Sequence, residues 1–498
     1  MALQKYTVFL LPFLFILSFL DTPAQTGNRS DARSLGMSNA SMVSSTGIDA
    51  SGLNPANFDY SLRTIQDTGS SKFHPSFINN TKPVWEITLL SIGGGCGSDE
   101  SINFYNKYLS KLSINRETFV GLFTDLNSVF DFRQNYLPNE QTNVNYDFEL
   151  KWLSFNYSNQ KIGALNFTIS DLVGLNTDVQ TRDLSFPIPV VLYTNGKLDI
   201  LNAVLHQSEA TAWWLRKYSI GYAKEFEFNK GKSSFSFGFS AGLVHGFGNV
   251  ITYNSSLYTN TYGITSNSPN PTHIDSIKGK QDFYTQAALT DFFEDYNDGA
   301  RSHYTFFPKP AGTGYSFDIG MNVKIAKVIR VAASITDIGK VTWNYNTKIN
   351  YDTNSFIYRN FILDKSDPTY NQFVNDLEGL NTRDTTTSYS TNMPTKYRAG
   401  LLFQPSDKWM IEFDWMKGDN NLPGNTTKNI FSLGSEYLPI SFLPLRAGAS
   451  IGGPESYTIS IGTGLKLKHF ALDLAAYGLN NMIADKRFSF AFSAKLLL

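Results

Sequence analysis

This chain reads as an all-β protein whose strands close into a transmembrane antiparallel barrel, and three observations lead there. Short segments alternate bulky apolar residues with small or polar ones, the N-terminus carries an apolar leader of export type, and no later run is long enough for a membrane helix. Successive side chains of a strand point to opposite faces, so each alternating segment has one apolar face and one polar face. Phe235, Phe237, Phe239, Ala241 and Leu243 share one parity, while Ser236, Gly238, Ser240 and Gly242 hold the other. A soluble sandwich would alternate as well. The other two observations decide for the membrane.

Taken in order, Lys5 precedes an apolar run from Val8 to Leu20, which Thr22, Pro23, Ala24 and Gln25 follow. This has the form of a cleaved secretory signal, residues 1–24, with the small residues Thr22 and Ala24 framing the cut. Its apolar core is too short to span a bilayer comfortably. Beyond it, a membrane helix would need about 18 consecutive apolar residues, and none is found. Only helices and closed barrels pair all their backbone groups in lipid, so a membrane form of this chain is a barrel. The mean hydropathy of -0.22 is too polar for a helical membrane protein. The 39 Phe, 26 Tyr and 7 Trp suit the aromatic girdles of a barrel at its two lipid interfaces.

Residues 25–83 are polar and small with little periodicity, and the strands begin at about 84. Alternating segments run Trp85 to Ile92, Lys151 to Tyr157, Ile162 to Ser170, Tyr218 to Phe226, Phe235 to Leu243, Tyr315 to Val323 and Ile329 to Thr336. They continue at Tyr397 to Phe403, Trp409 to Trp415, Phe431 to Tyr437, Leu445 to Ile451, Tyr457 to Ile461, Phe470 to Ala476 and Phe488 to Phe492. The last of these leads toward Leu498, as the terminal strand read by barrel-assembly machinery would. Three stretches break the rhythm, near 101–130, 249–312 and 345–395, and are expected as long, partly helical extracellular loops. Phe119, Leu122, Phe123, Leu126 and Phe130 form a helical stripe, and short helices are expected at Asp282 to Tyr296 and Tyr370 to Leu380. Asp337-Ile338-Gly339-Lys340 looks like a turn that ends a strand.

Parity assigns an interior. With the bulky parity toward lipid, a lumen charge network follows, made of Asp318, Arg330, Arg398, Glu412, Asp414, Glu436, Arg446, Asp473 and Arg487, with Lys495 beside it. Charge at the lipid face costs a few kcal/mol near the midplane, which favours this inward placement. Holding the wall and the N-terminal segment together suits the network better than binding substrate. On the same parity, arginine at Phe237 or Phe317 is expected to harm assembly, and arginine at Ser236 or Ser316 to be milder.

Net charge is -1, which gives no basic field for nucleic acid. The single cysteine, Cys96, excludes an internal disulfide framework. No GxSxG elbow, Walker loop or HExxH motif occurs, and His74, His206, His245, His273, His303 and His469 are scattered, with His469 at a barrel rim. No catalytic residue, metal site or cofactor is assigned, and no enzyme is expected.

The most specific motif lies in residues 25–83. It opens as Ala32-Arg33-Ser34-Leu35-Gly36-Met37-Ser38-Asn39-Ala40 and closes as Asp49-Ala50-Ser51-Gly52-Leu53-Asn54-Pro55-Ala56. Gly36 and Gly52 permit backbone that other residues resist, and Asn54-Pro55 fixes a turn. The pair resembles the "ARxLGMGxA" and "D-A-x-x-x-N-P-A" elements of the FadL-like family of outer-membrane transporters of hydrophobic compounds, with Ser38 where that family has glycine. The resemblance implies a barrel of about 14 strands in the outer membrane of a diderm bacterium. It implies a plug of residues 25–83 inside a barrel of 84–498, with Asn54, Pro55, Ala56, Gly36 and Gly52 as plug and gate. It also implies passive uptake of a hydrophobic small-molecule ligand such as a long-chain fatty acid. Outer-membrane lipid and the barrel-assembly machinery are the implied partners. Two alternatives stay open: a barrel that holds or shuttles a protein cargo at the surface, and a secreted soluble β-rich protein.

Overall fold

The computed structural model describes residues 30–59, 84–98, 142–159, 161–179, 191–194, 197–200, 203–228, 233–265, 272–291, 307–326, 328–363, 367–368, 383–385, 387–453, 457–480 and 487–498. The leader, the stripe near 101–130, the helix at Tyr370 to Leu380 and the Cys96 side chain lie outside these residues.

The N-terminal stretch holds one helical turn, α1 (Ala32–Gly36), and two 3-10 turns, Gly47–Ala50 and Pro55–Phe58. Strands follow: β1 (Val84–Ser98), β2 (Thr142–Asn159), β3 (Gly163–Val179), the hairpin β4 (Val191–Thr194) and β5 (Lys197–Ile200), β6 (Ala203–Phe228), β7 (Ser233–Thr265) and β8 (Thr272–Leu289). After them come β9 (Gly312–Ala326), β10 (Ile329–Trp343), β11 (Thr347–Leu363), β12 (Arg383–Thr385), β13 (Tyr389–Asn392) and β14 (Lys396–Ser406). The chain ends with β15 (Trp409–Gly418), β16 (Ile430–Ile440), β17 (Leu443–Gly452), β18 (Tyr457–Lys466), β19 (Phe470–Tyr477) and β20 (Arg487–Leu497).

Antiparallel pairing joins β1, β2, β3, β6, β7, β9, β10 and β14 to β20 in succession, and β20 returns to β1 from Glu86↔Leu497 to Gly97↔Arg487. The result is a closed ring of 14 strands with no free edge. Each of the alternating segments read from the sequence coincides with one ring strand. The bulky parity lies outside, with Phe237, Phe317 and Phe413 each more than two-fifths exposed, while Ser236 and Ser316 are fully buried inside. An apolar outer belt on a closed ring is the surface of a membrane-spanning barrel, which sets aside the soluble alternative.

One mouth carries the short turns, such as those joining β2 to β3, β9 to β10 and β18 to β19, and His469 lies there with its Nδ1 3.0 Å from the Leu497 carbonyl oxygen. Longer connections gather at the other mouth, which by the usual sidedness of such barrels is the outer one.

Where they are described, two of the excursions are built mainly of strands. Beyond its ring partner β9, β7 continues into a ladder with β8 from Gly248↔Leu289 to Thr265↔His273, and β8 pairs along its length with β11. The helix expected at Asp282 to Tyr296 is therefore corrected: the chain is strand through Leu289, and residues 292–296 lie outside the described ones. Two long neighbours offer β8 a backbone partner on each side, and that context overrides the helical spacing of its side chains. The turn expected at Asp337 is corrected too. Asp337 is a bulge inside β10, with φ 59 and a register shift between Ile335 and Ile338.

Candidate functional site

Residues 30–59 lie inside the ring. They touch Glu86 and Ser91 of β1, Glu149 of β2, Met321 of β9, Ser334 of β10, Asp414 of β15, Glu436 of β16, Ser460 of β18 and Lys495 of β20. Only a segment within a closed ring reaches all of these walls.

Locally, the segment is a chain of capped turns. The Asp31 carboxylate caps α1, accepting from the amides of Arg33 at 2.9 Å and Ser34 at 3.3 Å. Its pKa is pushed up to about 6, first by burial and then by the neighbouring charge of Asp49. Ser38 and Asn39 adopt left-handed backbone at φ 53 and 65 and end the helix. Asn54 caps the second 3-10 turn: its Oδ1 accepts from the Ala56 amide at 3.1 Å, and Pro55 occupies the first helical position, where no N–H is needed. The Asn54 Nδ2 donates to the Met321 carbonyl at 3.2 Å, so this residue ties the turn to the wall.

From β6 round to β18 the wall receives the segment with very short residues. A Cβ on Gly238, Gly434, Gly448 or Gly462 would fall within 3.0 Å of Pro55, Met37, Met37 or Gly36 respectively. Gly221, Gly320 and Gly400 stand likewise against Phe58, Asn54 and Val43. Ser236 donates to the Ala56 carbonyl at 2.6 Å, and Ser334 to that of Leu53 at 2.6 Å. Strand β15 has no glycine here and uses two carboxylates: Glu412 accepts from the Val43 amide at 2.5 Å, and Asp414 from the amides of Ser41 and Met42 at 2.8 Å each.

From β20 round to β3 the contacts run through longer side chains. Lys495 pairs with Asp49, and Glu86 accepts from the Ile48 amide at 2.9 Å. Lys151 donates to the Ser51 carbonyl at 3.3 Å, and Asn156 to that of Phe58 at 3.0 Å. A cavity of about 50 Å³ opens next to Ser51 and Gly52, lined also by Glu149, Lys151, Thr168, Lys217, Asp337, Lys396 and Arg398. Toward the outer mouth it meets Leu172, Trp213, Pro394 and Pro423. Trp213 belongs to a buried apolar cluster with Leu215, Val244, Val341, Trp343, Tyr389 and Met393.

The charges expected as one network form separate groups. Nearest the outer mouth, the Lys217 Nζ lies 2.7 Å from Asp337 and 3.2 Å from Asp318, while Arg398 donates to the Thr336 hydroxyl at 2.7 Å. At mid-depth stand Glu412 and Asp414. Toward the inner mouth, Glu436 joins Arg33 at 3.1 Å and Arg446 at 2.6 Å, and Arg446 reaches Asp473 at 2.6 Å. Arg330 is buried near the inner end of β10, and the Arg487 side chain lies outside the described residues.

Gly36 packs against Gly462, and Gly52, at φ 82, has open space before it and faces the cavity. Sequence reading missed Lys217, Lys151, Glu86 and Glu149, all buried and polar on inward parity. That parity was the signal that could have found them. Among the described residues no group of three or more His, Cys, Asp or Glu could hold a metal ion.

A family model described as a family of unknown function, DUF5723, matches residues 75–476. No curated protein matches the chain. Among solved structures, the Pseudomonas putida toluene transporter TodX is similar at 10% identity and a TM-score of 0.40, covering 96% of this chain and 98% of that one. The Ralstonia pickettii toluene transporter TbuX is similar at 9% identity and a TM-score of 0.38, with 95% and 97% covered. A Pseudomonas aeruginosa FadL homologue gives 10% identity and a TM-score of 0.39, with 96% and 99% covered.

Proposed function

We propose, for a chain that belongs to the DUF5723 family of unknown function, that it is an outer-membrane channel for passive uptake of hydrophobic small molecules, with residues 30–59 as its gate. The observation that carries this reading is a lipid-facing ring whose lumen holds the chain's own N-terminal segment, bound through hydrogen bonds, ion pairs and apolar packing. A purely structural barrel has no use for a removable stopper. The motif shared with the FadL-like family, and the export leader, support the location and the substrate class, of which long-chain fatty acids are one candidate. In this mechanism a ligand partitions into the apolar cluster around Trp213 and Trp343, the segment shifts, and the ligand moves inward down its gradient.

The test is uptake of a panel of fatty acids and aromatic hydrocarbons by vesicles containing the purified protein. The parent is expected to exceed protein-free vesicles. Asn54→Ala, which removes both the cap and the tie to Met321, should alter the rate while the barrel still migrates faster in detergent gels before boiling. Parent and variant rates equal to those of protein-free vesicles would remove the channel reading. The sheet of β7, β8 and β11 that continues past the ring favours the second reading, a surface holder of protein cargo.

A further inference from the structure

The connection between β15 and β16, residues 419–429, leaves the ring at the outer mouth and lies across the opening. Its near end is tied to residues 393–395, which join β13 to β14. The Asp419 amide donates to the Thr395 carbonyl at 3.2 Å, the Asn425 Nδ2 to the same carbonyl at 3.0 Å, and the Asn420 Nδ2 to that of Met393 at 3.0 Å. Its far end reaches β3. There the Asn176 Nδ2 donates to the Asn421 carbonyl, and Pro423 lies so close to Gly174 that a Cβ on the glycine would overlap the proline ring. Strands β3 and β15 stand nearly opposite each other, with β6, β7, β9, β10 and β14 between them. The connection is therefore a strap over the mouth.

Its sequence makes the strap one compact body. Gly424 turns the chain at φ 76, a left-handed conformation that suits glycine. The Asn425 amide donates to the Leu422 carbonyl at 2.9 Å, the Gly418 amide to that of Thr426 at 2.7 Å, and the Thr427 amide to the Asn421 Oδ1 at 2.9 Å. Asn421, Thr427 and Lys428 face solvent, while Pro423 to Thr426 are buried. Leu422 packs against the cluster of Trp213 and Trp343, and Pro423 roofs the cavity whose floor is Ser51 and Gly52.

That cavity is closed at rest. On the measure by which one water needs roughly 10–15 Å³, about 50 Å³ holds a few waters and no hydrophobic molecule of useful size. A ligand enters only if part of the boundary moves. The strand walls are continuous ladders, and residues 30–59 are bonded to strands all round the ring. The strap tip has a single hydrogen bond to β3, made at an exposed site, and the packing of Leu422 and Pro423. It is the part of the boundary held by the fewest bonds, and lifting it breaks no ladder.

We infer that residues 419–429 are a second gate in series with residues 30–59, anchored at 393–395 and latched on Gly174 and Asn176 of β3. This deepens the proposed uptake function and rests on it for what passes. A ligand lifts the strap tip, occupies the space beneath it beside Trp213, and meets the N-terminal segment only afterwards.

Thiol labelling of the protein in lipid nanodiscs tests the inference. In a Cys96→Ser background, Ser170→Cys puts one thiol on the cavity wall beneath the strap, and its reaction with a small water-soluble thiosulfonate reads how often the strap lifts. Asn176→Ala removes the far bond and should speed labelling about fivefold. Gly174→Val places atoms where Pro423 lies and should speed it about tenfold. Parental labelling rates in both variants, each migrating as a folded barrel, would overturn the gate. Uptake of naphthalene by vesicles holding the same variants should rise with the labelling rate. A measurable parental uptake that stays constant while labelling speeds would also overturn it, by placing the ligand's route elsewhere. Labelling is read without transport, so faster labelling in a protein that takes up no naphthalene would keep the movable strap and lose the channel.

Discussion

The segment inside the ring meets two different walls. From β6 to β18 it lies mostly against glycines and serines, with the Glu412 and Asp414 carboxylates between them, so its backbone comes within a few ångströms of the strand backbone at Gly238 and Gly448. From β20 to β3 it is held at arm's length by Lys495, Glu86, Lys151 and Asn156, whose side chains can turn, and a cavity separates it from the wall. One wall is a mould and the other a set of tethers. Motion of the segment is therefore expected on the tethered side, pivoting on the moulded one.

The largest effect should come from the mould. Gly238→Val together with Gly448→Val places new atoms where Pro55 and Met37 already lie, at a cost of about 1–3 kcal/mol each by overpacking. The sites touch different parts of the segment, so the costs should nearly add. Expelled from the lumen, the segment should leave a barrel with raised conductance in planar bilayers. Parental conductance in the double variant would show that the moulded side yields after all.

Next in size is the contrast of faces. Phe237→Arg should lose about 2–4 kcal/mol of assembly if the site lies near the midplane, read by heat-modifiable gel migration. Parity alone ranks Ser236→Arg as mild. Contact with the Ala56 carbonyl reverses that: the barrel should still assemble, but with the segment displaced and its proteolysis increased. Protection of the segment equal to the parent's would restore the parity argument.

Smaller again is the loss of a tether. Lys495→Gln removes the pair with Asp49 at a wall where neighbours share the load, and should cost about 1 kcal/mol, seen as a modest rise in proteolysis of residues 30–59. A rise as large as that from the glycine variants would erase the distinction between the walls.

The smallest effect concerns pH. Asp31 sits at about 6 when docked and at 3.8 when free in water. Its contribution to docking is complete below 3.8 and is lost as pH rises through about 6, so docking should be firmer at pH 5 than at pH 7.5. Asp31→Asn should flatten the difference in protection between those two values. Looser docking at pH 5 than at pH 7.5 in the parent, absent in Asp31→Asn, would give the opposite sign.

Ring strands were legible because a period of two is a local property: Trp409 to Trp415 shows its inside and outside with no knowledge of its neighbours. Features set by distant partners were not. Lys217 stands one residue before the segment read from Tyr218, and its two aspartates are 101 and 120 residues away. The β8 ladder needed β7 and β11 beside it. Asp337 and Gly339 carry the residue types of a turn, and only the shared register of β9 and β10 shows a bulge. Gly238, Gly434 and Gly448 were visible as small residues on inward parity. That each faces the backbone of residues 30–59 follows only from the closed ring.

The seam where β20 meets β1 imposes an order of events on the nascent molecule. Residues 30–59 bind both strands of that seam, through Glu86 and Ser91 on one and Lys495 on the other. They also hold Glu436, 403 residues downstream of Arg33. Contacts of such sequence separation form late. Residues 30–59 therefore acquire their full set of partners only when the final strand zips to the first.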